Sequence, residues 1–230
     1  MSIPTLLDHI VIAGPDLAEL IDWFAERTGV VAARGGAHPT GTANALVALS
    51  VGGERGPQYI ELIGPDPDRA DPELPPTFGI SGLTAPAVQA YAVHPDDIEA
   101  TVAGARERGY DPGDVSDLSR RTPDGTLLEW RLTFGTALPA ATRNLEVPFL
   151  IDWGTTPSPG NTTEPSVELV EFVRIEPTDD DVARVRADLD ALGLGVGVTR
   201  VELGEAPGYL LRLRAASGAE VALGVGAPVR

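Results

Sequence analysis

The sequence predicts an α+β fold in which paired βαβββ modules form a curved mixed sheet, followed by a degenerate third βαβββ-like module. Three observations lead there. Pro15, Asp16, Glu19 and Gly29 recur as Pro95, Asp96, Glu99 and Gly109, each 80 residues later, and each set follows an apolar strand-like run. Both helical stretches are followed by runs of strand character. A third segment, from Val167, repeats the same order of signals with weaker marks.

The first module spans 5–66. Leu7–Ala13 reads as a strand, and Leu20, Ile21 and Phe24 give the next helix an apolar stripe. Asp16 with Glu19 forms a capping box, and Gly29 suits the C′ position. Strands follow at Ala43–Val51 and Gln58–Ile63. Asp66–Pro86, rich in proline and acids, reads as a linker. The second module spans 86–135. It has a strand at Ala87–Val93, a helix capped by Asp96 with Ile98 and Val102 inward, and strands at Asp117–Arg121 and Thr126–Thr133 around the turn Pro123-Asp124-Gly125. The two modules together are expected to form a domain over 1–155. Pro157–Pro165 is a second linker. The C-terminal module, 160–230, begins with a strand at Val167–Ile175. Its helix starts at Pro177-Thr178 and turns Val182, Val185, Leu189 and Leu192 inward, and strands follow at Gly197–Leu203, Tyr209–Arg214 and Glu220–Leu223.

Composition removes several function classes. With 17 basic and 34 acidic residues the formal net charge is −17, which disfavours nucleic acid and anionic membrane surfaces as partners. There is no cysteine, so disulfides, thiolate metal sites and Cys nucleophiles are out. All 17 basic residues are arginine, which excludes Schiff-base chemistry and a Walker-type lysine. No run is apolar enough to span a membrane, and the N-terminus lacks a basic leader region, so a cytoplasmic location is expected. No Gly-x-Ser-x-Gly is present, and the Gly-rich run at Gly193–Gly197 follows a helix rather than a strand, the wrong context for dinucleotide binding.

The offset of 80 aligns His9 on the first strand of one module with Gln89 on the first strand of the next. Tyr59-Ile-Glu61-Leu and Leu127-Leu-Glu129-Trp align as last strands. Two modules facing each other would bring His9, Glu61, Gln89 and Glu129 towards one cup. Imidazole, amide and two carboxylates suit a divalent ion such as Zn²⁺, Ni²⁺, Mn²⁺ or Fe²⁺ with open positions. Plainer readings stand beside this one. Glu61 on an edge would be solvated, Glu129 has Arg121 and Arg131 as possible ion-pair partners, and Gln89 could bond a backbone group. His38, Thr42 and Asn44 lie in a Gly-rich loop and are candidates for contacting substrate. Trp130 and Trp153 read as core or pocket lining.

Four segments carry a family likeness: Leu7-Asp-His9-Ile-Val-Ile12, Gly35-Gly-Ala-His38-Pro-Thr-Gly41-Thr42-Ala-Asn44, Tyr59-Ile-Glu61-Leu-Ile63, and Pro123-Asp-Gly-Thr-Leu-Leu-Glu129-Trp130. Over about residues 5–155 the chain resembles the vicinal oxygen chelate superfamily, and within it the glyoxalase-like domain proteins. The resemblance implies metal ligands on the first and last strand of each module, hence His9, Glu61 and Glu129, with Gln89 where many members carry His. It implies a lyase or isomerase that chelates two neighbouring oxygens of a small substrate, with Glu61 or Glu129 shuttling the proton. The alternative is a metal-free protein that sequesters a small molecule in the same cup. Members of this superfamily often dimerise, so a homodimer is a further expectation.

Overall fold

The computed structural model describes residues 6–71, 73–122, 125–133, 146–193 and 199–225. Met1–Thr5, the Pro123-Asp124 half of the expected turn, and the Leu194–Gly197 part of the Gly-rich run lie outside them. The first module consists of β1 (Leu7–Ala13), α1 (Leu17–Thr28), β2 (Ala33–Ala37), β3 (Thr42–Val51) and β4 (Glu54–Pro65). The second consists of β5 (Ala87–Val93), α2 (Ile98–Glu107), β6 (Ser116–Arg121), β7 (Leu127–Leu132) and β8 (Phe149–Asp152). The third consists of β9 (Ser166–Glu176), α3 (Asp179–Leu192), β10 (Arg200–Leu203), β11 (Gly208–Arg214) and β12 (Glu220–Gly224). All strands join one mixed sheet in the order β12-β11-β9-β3-β4-β1-β5-β8-β7-β6, with β2 beside β3 and β10 beside β9.

Local chemistry sets the helix ends. The Asp16 carboxylate accepts the Glu19 N–H at 2.9 Å, and Gly29 closes α1 in the left-handed region. In α2 the cap is Asp97 rather than Asp96, accepting the Ala100 N–H at 3.0 Å. Starting at Ile98 aligns Ile98, Val102 and Ala105 on the buried face, and this packing chooses between the two adjacent acids. Thr178 caps α3 by accepting the Asp181 N–H.

The modules meet where β1 and β5 pair antiparallel. The pairs Ile10↔Tyr91 and Val11↔Ala90 exchange under the offset of 80, as do Leu7↔Val93 and Ala13↔Ala87. Each strand carries one irregularity, which leaves Asp8 as the extra residue on β1 and Gln89 on β5. Such bulges re-aim side chains.

The second module corrects one strand assignment. β4 lies parallel to β1, and the strand that lies parallel to β5 is β8, not β7. The fourth strand is therefore Phe149–Asp152, a run too short to stand out in the sequence, and β7 is only the third. The C-terminal module keeps the βαβββ order of elements but not the strand order. Its first strand, β9, pairs in parallel with β10 and antiparallel with β11, and its N-terminal end joins β3.

Two apolar layers flank the sheet. One packs α1, α2 and α3 through Leu20, Phe24, Ile98, Val102, Val185 and Leu189 against Ile10, Ile12, Ile60 and Leu62. The other lines the concave face with Val11, Ala13, Leu46, Tyr59, Ile63, Phe149, Ile151 and Trp153. Phe78 and Ile80, from the 3-10 segment Thr77–Gly82, cover this second layer. Among the described residues no helix is long and apolar enough to cross a membrane.

Candidate functional site

Strand alternation selects the side chains of the concave face. On β1 it presents His9 with Val11 and Ala13; on β4, Glu61 between Tyr59 and Ile63; on β3, Asn44 with Leu46. All three polar groups are buried, and burial obliges such groups to find partners. Asp8, the bulge residue, bends round to its neighbour: His9 Nδ1 lies 2.6 Å from Asp8 Oδ1. Trp153 Nε1 donates to Asp8 Oδ2 at 3.0 Å. The His9 ring stacks on Tyr59 at 4.7 Å and meets the Phe149 ring at 5.4 Å. With Nδ1 committed to Asp8, Nε2 turns towards Glu61, 3.8 Å from Oε2.

Glu61 is held from the other side. Asn44 Nδ2 donates to Glu61 Oε1 at 2.6 Å, and Asn44 Oδ1 accepts the Gly36 N–H at 3.0 Å. These two bonds orient the amide. Its nitrogen also lies 3.4 Å from His38 Nε2, while His38 Nδ1 lies 2.9 Å from Thr42 Oγ1. Because an amide nitrogen can only donate, His38 accepts at Nε2 and carries its proton on Nδ1. Burial pushes the His38 imidazole below its ordinary value, against the pull of Glu61, which fits a neutral ring. Gly35 makes the arrangement possible: a Cβ there would stand 2.0 Å from Asn44 Oδ1.

Arg120 reaches the same region from β6. It pairs with Leu128, two residues along from Leu118↔Trp130, and so shares the concave face with Trp130. Burial pulls its guanidinium down, while Glu61 and Tyr59 oppose the shift. Burial, with the Asp8 and Glu61 charges, raises the Tyr59 phenol well above its ordinary value, so it stays neutral. His38 meets Trp130 edge-on at 6.3 Å, and Trp130 meets Trp153 at 5.6 Å. On the far side of Asp8 lies a crevice of about 320 Å³ lined in part by Gln58, His94, Asp96 and Ser158. His94 Nδ1 stands 3.7 Å from Asp8 Oδ2. Burial raises the Asp8 carboxyl, but His9, His94 and Trp153 together hold it below the usual carboxylate range.

The structure brings together His9, Glu61, His38, Thr42 and Asn44. It leaves Glu129 out. Trp130 turns inward, so its neighbour Glu129 turns outward and is exposed, its N–H 3.4 Å from Thr156 Oγ1. Arg131, on the same outer face, pairs with Glu99 and Asp152. On β8, the structural counterpart of β4, the residues facing the cup are Phe149 and Ile151. Gln89 lies beside the 3-10 segment, its Nε2 3.6 Å from where a Cβ on Gly79 would be. The four-ligand centre of His9, Glu61, Gln89 and Glu129 is therefore not assembled. Among the described residues no three His, Asp or Glu side chains are grouped to hold a metal ion. A strong divalent-metal site does not fit this donor set. The sequence reading missed Asp8, Tyr59 and Arg120. The Leu118–Arg120 spacing on one strand face was the available signal for the last.

A family model described as a glyoxalase-like domain matches residues 7–191. The chain belongs to the glyoxalase-like domain family. The glyoxalase-like chain is similar over 96% of its length, at 15% identity and a TM-score of 0.52, to a hypothetical protein from Staphylococcus aureus, covering 86% of that chain. This is a likeness of fold. It also matches, over 66% of its length at 21% identity and a TM-score of 0.36, a methylmalonyl-CoA epimerase from Mycobacterium tuberculosis, covering 88% of that chain. No curated protein matches the sequence of this glyoxalase-like chain.

Proposed function

We propose that this glyoxalase-like protein is an isomerase or lyase that moves a proton at the carbon next to a carbonyl of a small substrate bound on the concave face. The observation that carries the reading is the pair His9 Nε2 and Glu61 Oε2, 3.8 Å apart, each anchored from behind, by Asp8 and by Asn44. Two proton-handling atoms aimed at one point, inside an apolar wall, suit general acid–base catalysis. In the proposed step the Glu61 carboxylate takes the C–H proton, and the electron pair moves onto the carbonyl oxygen as an enolate. His9 Nε2 exchanges a proton with that oxygen. Glu61 then returns its proton to carbon from the face it occupies, at the same or the neighbouring position. No step runs through a metal ion.

A second reading has its own support. Tyr59, Phe78, Phe149, Trp130 and Trp153 set aromatic rings into an otherwise aliphatic cup wall, which suits a protein that only sequesters a small molecule. Incubating small carbonyl compounds with the protein in D₂O, with proton NMR as readout, separates the two. Catalysed exchange of the α-proton, lost by about 10²–10⁴-fold in Glu61→Gln, supports the enzyme. Tight binding with no exchange in wild type supports sequestration.

A further inference from the structure

The proton-transfer step leaves Arg120 unused. Arg120 is 6% exposed, yet among the described residues its Nη1 has no hydrogen-bond partner. Among the described residues it forms no hydrogen bond or ion pair, in contrast to the other buried arginine, Arg174, which donates to Glu176 at 2.7 Å. Its guanidinium runs under β2, where a Cβ on Gly36 would stand 3.0 Å from Nη1. Glu61, Tyr59 and His38 all lie close enough to exchange electrostatic influence with it. A guanidinium stays charged in proteins, and an unpaired buried charge is among the most costly groups a fold can keep. The chain as a whole, at net charge −17, repels anions, so any anion held here needs a local cation.

We propose that Arg120 docks the carboxylate of the substrate, which makes the substrate class a small 2-oxo acid. The planar fork of donors matches a carboxylate in two parallel hydrogen bonds. The adjacent oxygen-bearing carbon then faces His9 and Glu61. The inference rests on the proton-transfer reading for the second half of this placement, and on the unpartnered guanidinium for the first.

Calorimetric titration with pyruvate and with its uncharged methyl ester tests it. Wild type is expected to bind the acid at least about 10-fold more tightly than the ester. Arg120→Met is expected to lose that preference and to bind the ester as before, and Arg120→Lys to keep part of it. Arg120→Met is also expected to melt about 2–4 °C higher, because it removes an unpaired buried charge. Equal affinity for acid and ester in wild type, a preference that survives Arg120→Met, or a lower melting temperature in that variant would overturn the proposal. Should Arg120→Met not fold, the wild-type acid-to-ester ratio and Arg120→Lys still decide. Acid-selective binding without α-proton exchange in wild type would sustain the docking role while overturning the proton-transfer step. Glu61→Gln, which removes a negative charge beside the bound acid, is expected to keep the acid preference and lose exchange.

Discussion

His9 Nε2 and Glu61 Oε2 stand 3.8 Å apart across β1 and β4, and the opposite end of each side chain is tied down. Asp8 can reach His9 Nδ1 because it is the extra residue of a bulge; on a regular strand, consecutive side chains point to opposite faces. Asn44 reaches Glu61 because β3 and β4 are antiparallel neighbours and Gly35 leaves room behind it. The pair is thus fixed by backbone irregularity on one side and by a missing side chain on the other.

Asn44→Ala is expected to destabilise the fold by about 1–3 kcal/mol, since the Gly36 N–H and a Glu61 oxygen lose their buried partner. Gly35→Ala is expected to act on the same bond from behind, displacing Asn44 at a cost of about 1–3 kcal/mol. Urea unfolding of both variants checks this, and α-proton exchange should fall in both.

Glu129→Ala is expected to leave stability within about 0.5 kcal/mol of wild type and α-proton exchange unchanged, because the side chain lies on the exposed outer face of β7. A large loss of exchange would return Glu129 to the site.

Dialysis against EDTA, followed by metal analysis by plasma mass spectrometry, is expected to leave α-proton exchange unaltered. Among the described residues the donors at the cup, His9, His38 and Glu61 with Gln89 nearby, are not grouped as a tight divalent site requires. Activity that vanishes with EDTA and returns with Zn²⁺, Mn²⁺, Fe²⁺ or Ni²⁺ would contradict this.

The Asp8 carboxylate, 3.7 Å from Nδ1, raises the His94 pKa above its ordinary value, against the effect of partial burial. A raised folded-state value means that protonated His94 stabilises the fold fully below the unfolded value, about 6.5, and that this contribution fades as pH rises through the folded value. The stability difference between wild type and His94→Gln should therefore be largest below about pH 6.5 and fade as the pH rises above it, read from urea midpoints. His38 works in the opposite sense: its lowered value means stability is lost as pH falls below about 6.5.

Glu176→Gln should cost about 3–5 kcal/mol, because Arg174 and Glu176 are both buried and pair at 2.7 Å. The same loss in thermal unfolding of the whole chain would show the C-terminal module melting with the rest.

Much of the fold was legible because it rests on local chemistry. Pro15-Asp16 and Gly29 bracket α1, and the apolar stripe of α3 is plain in Val182, Val185, Leu189 and Leu192. His9 and Glu61 stood out as polar groups in apolar strands, and Asn44 as a hydrogen-bonding residue of the Gly-rich loop. What escaped was long-range. Nothing local tells that β8 rather than β7 lies beside β5, and the whole case for Glu129 hung on that pairing. Asp8 needed a bulge, which depends on the register between two strands 80 residues apart. Arg120 reads as one of two adjacent surface arginines until β6 is known to turn it inward beneath Gly36.

β3 is shared along one edge by two partners: β2 takes Ala43–Leu46, and β9 takes Ala48–Ser50. A slip of β3 along β4 that kept its apolar face inward would have to be two residues long, about 7 Å, and would carry Asn44 out of reach of Glu61. Clamping the far half of the strand against Ser166–Glu168 forbids that slip. The C-terminal module, whose described residues contribute no side chain to the His9–Glu61 cluster, thereby acts as its alignment jig.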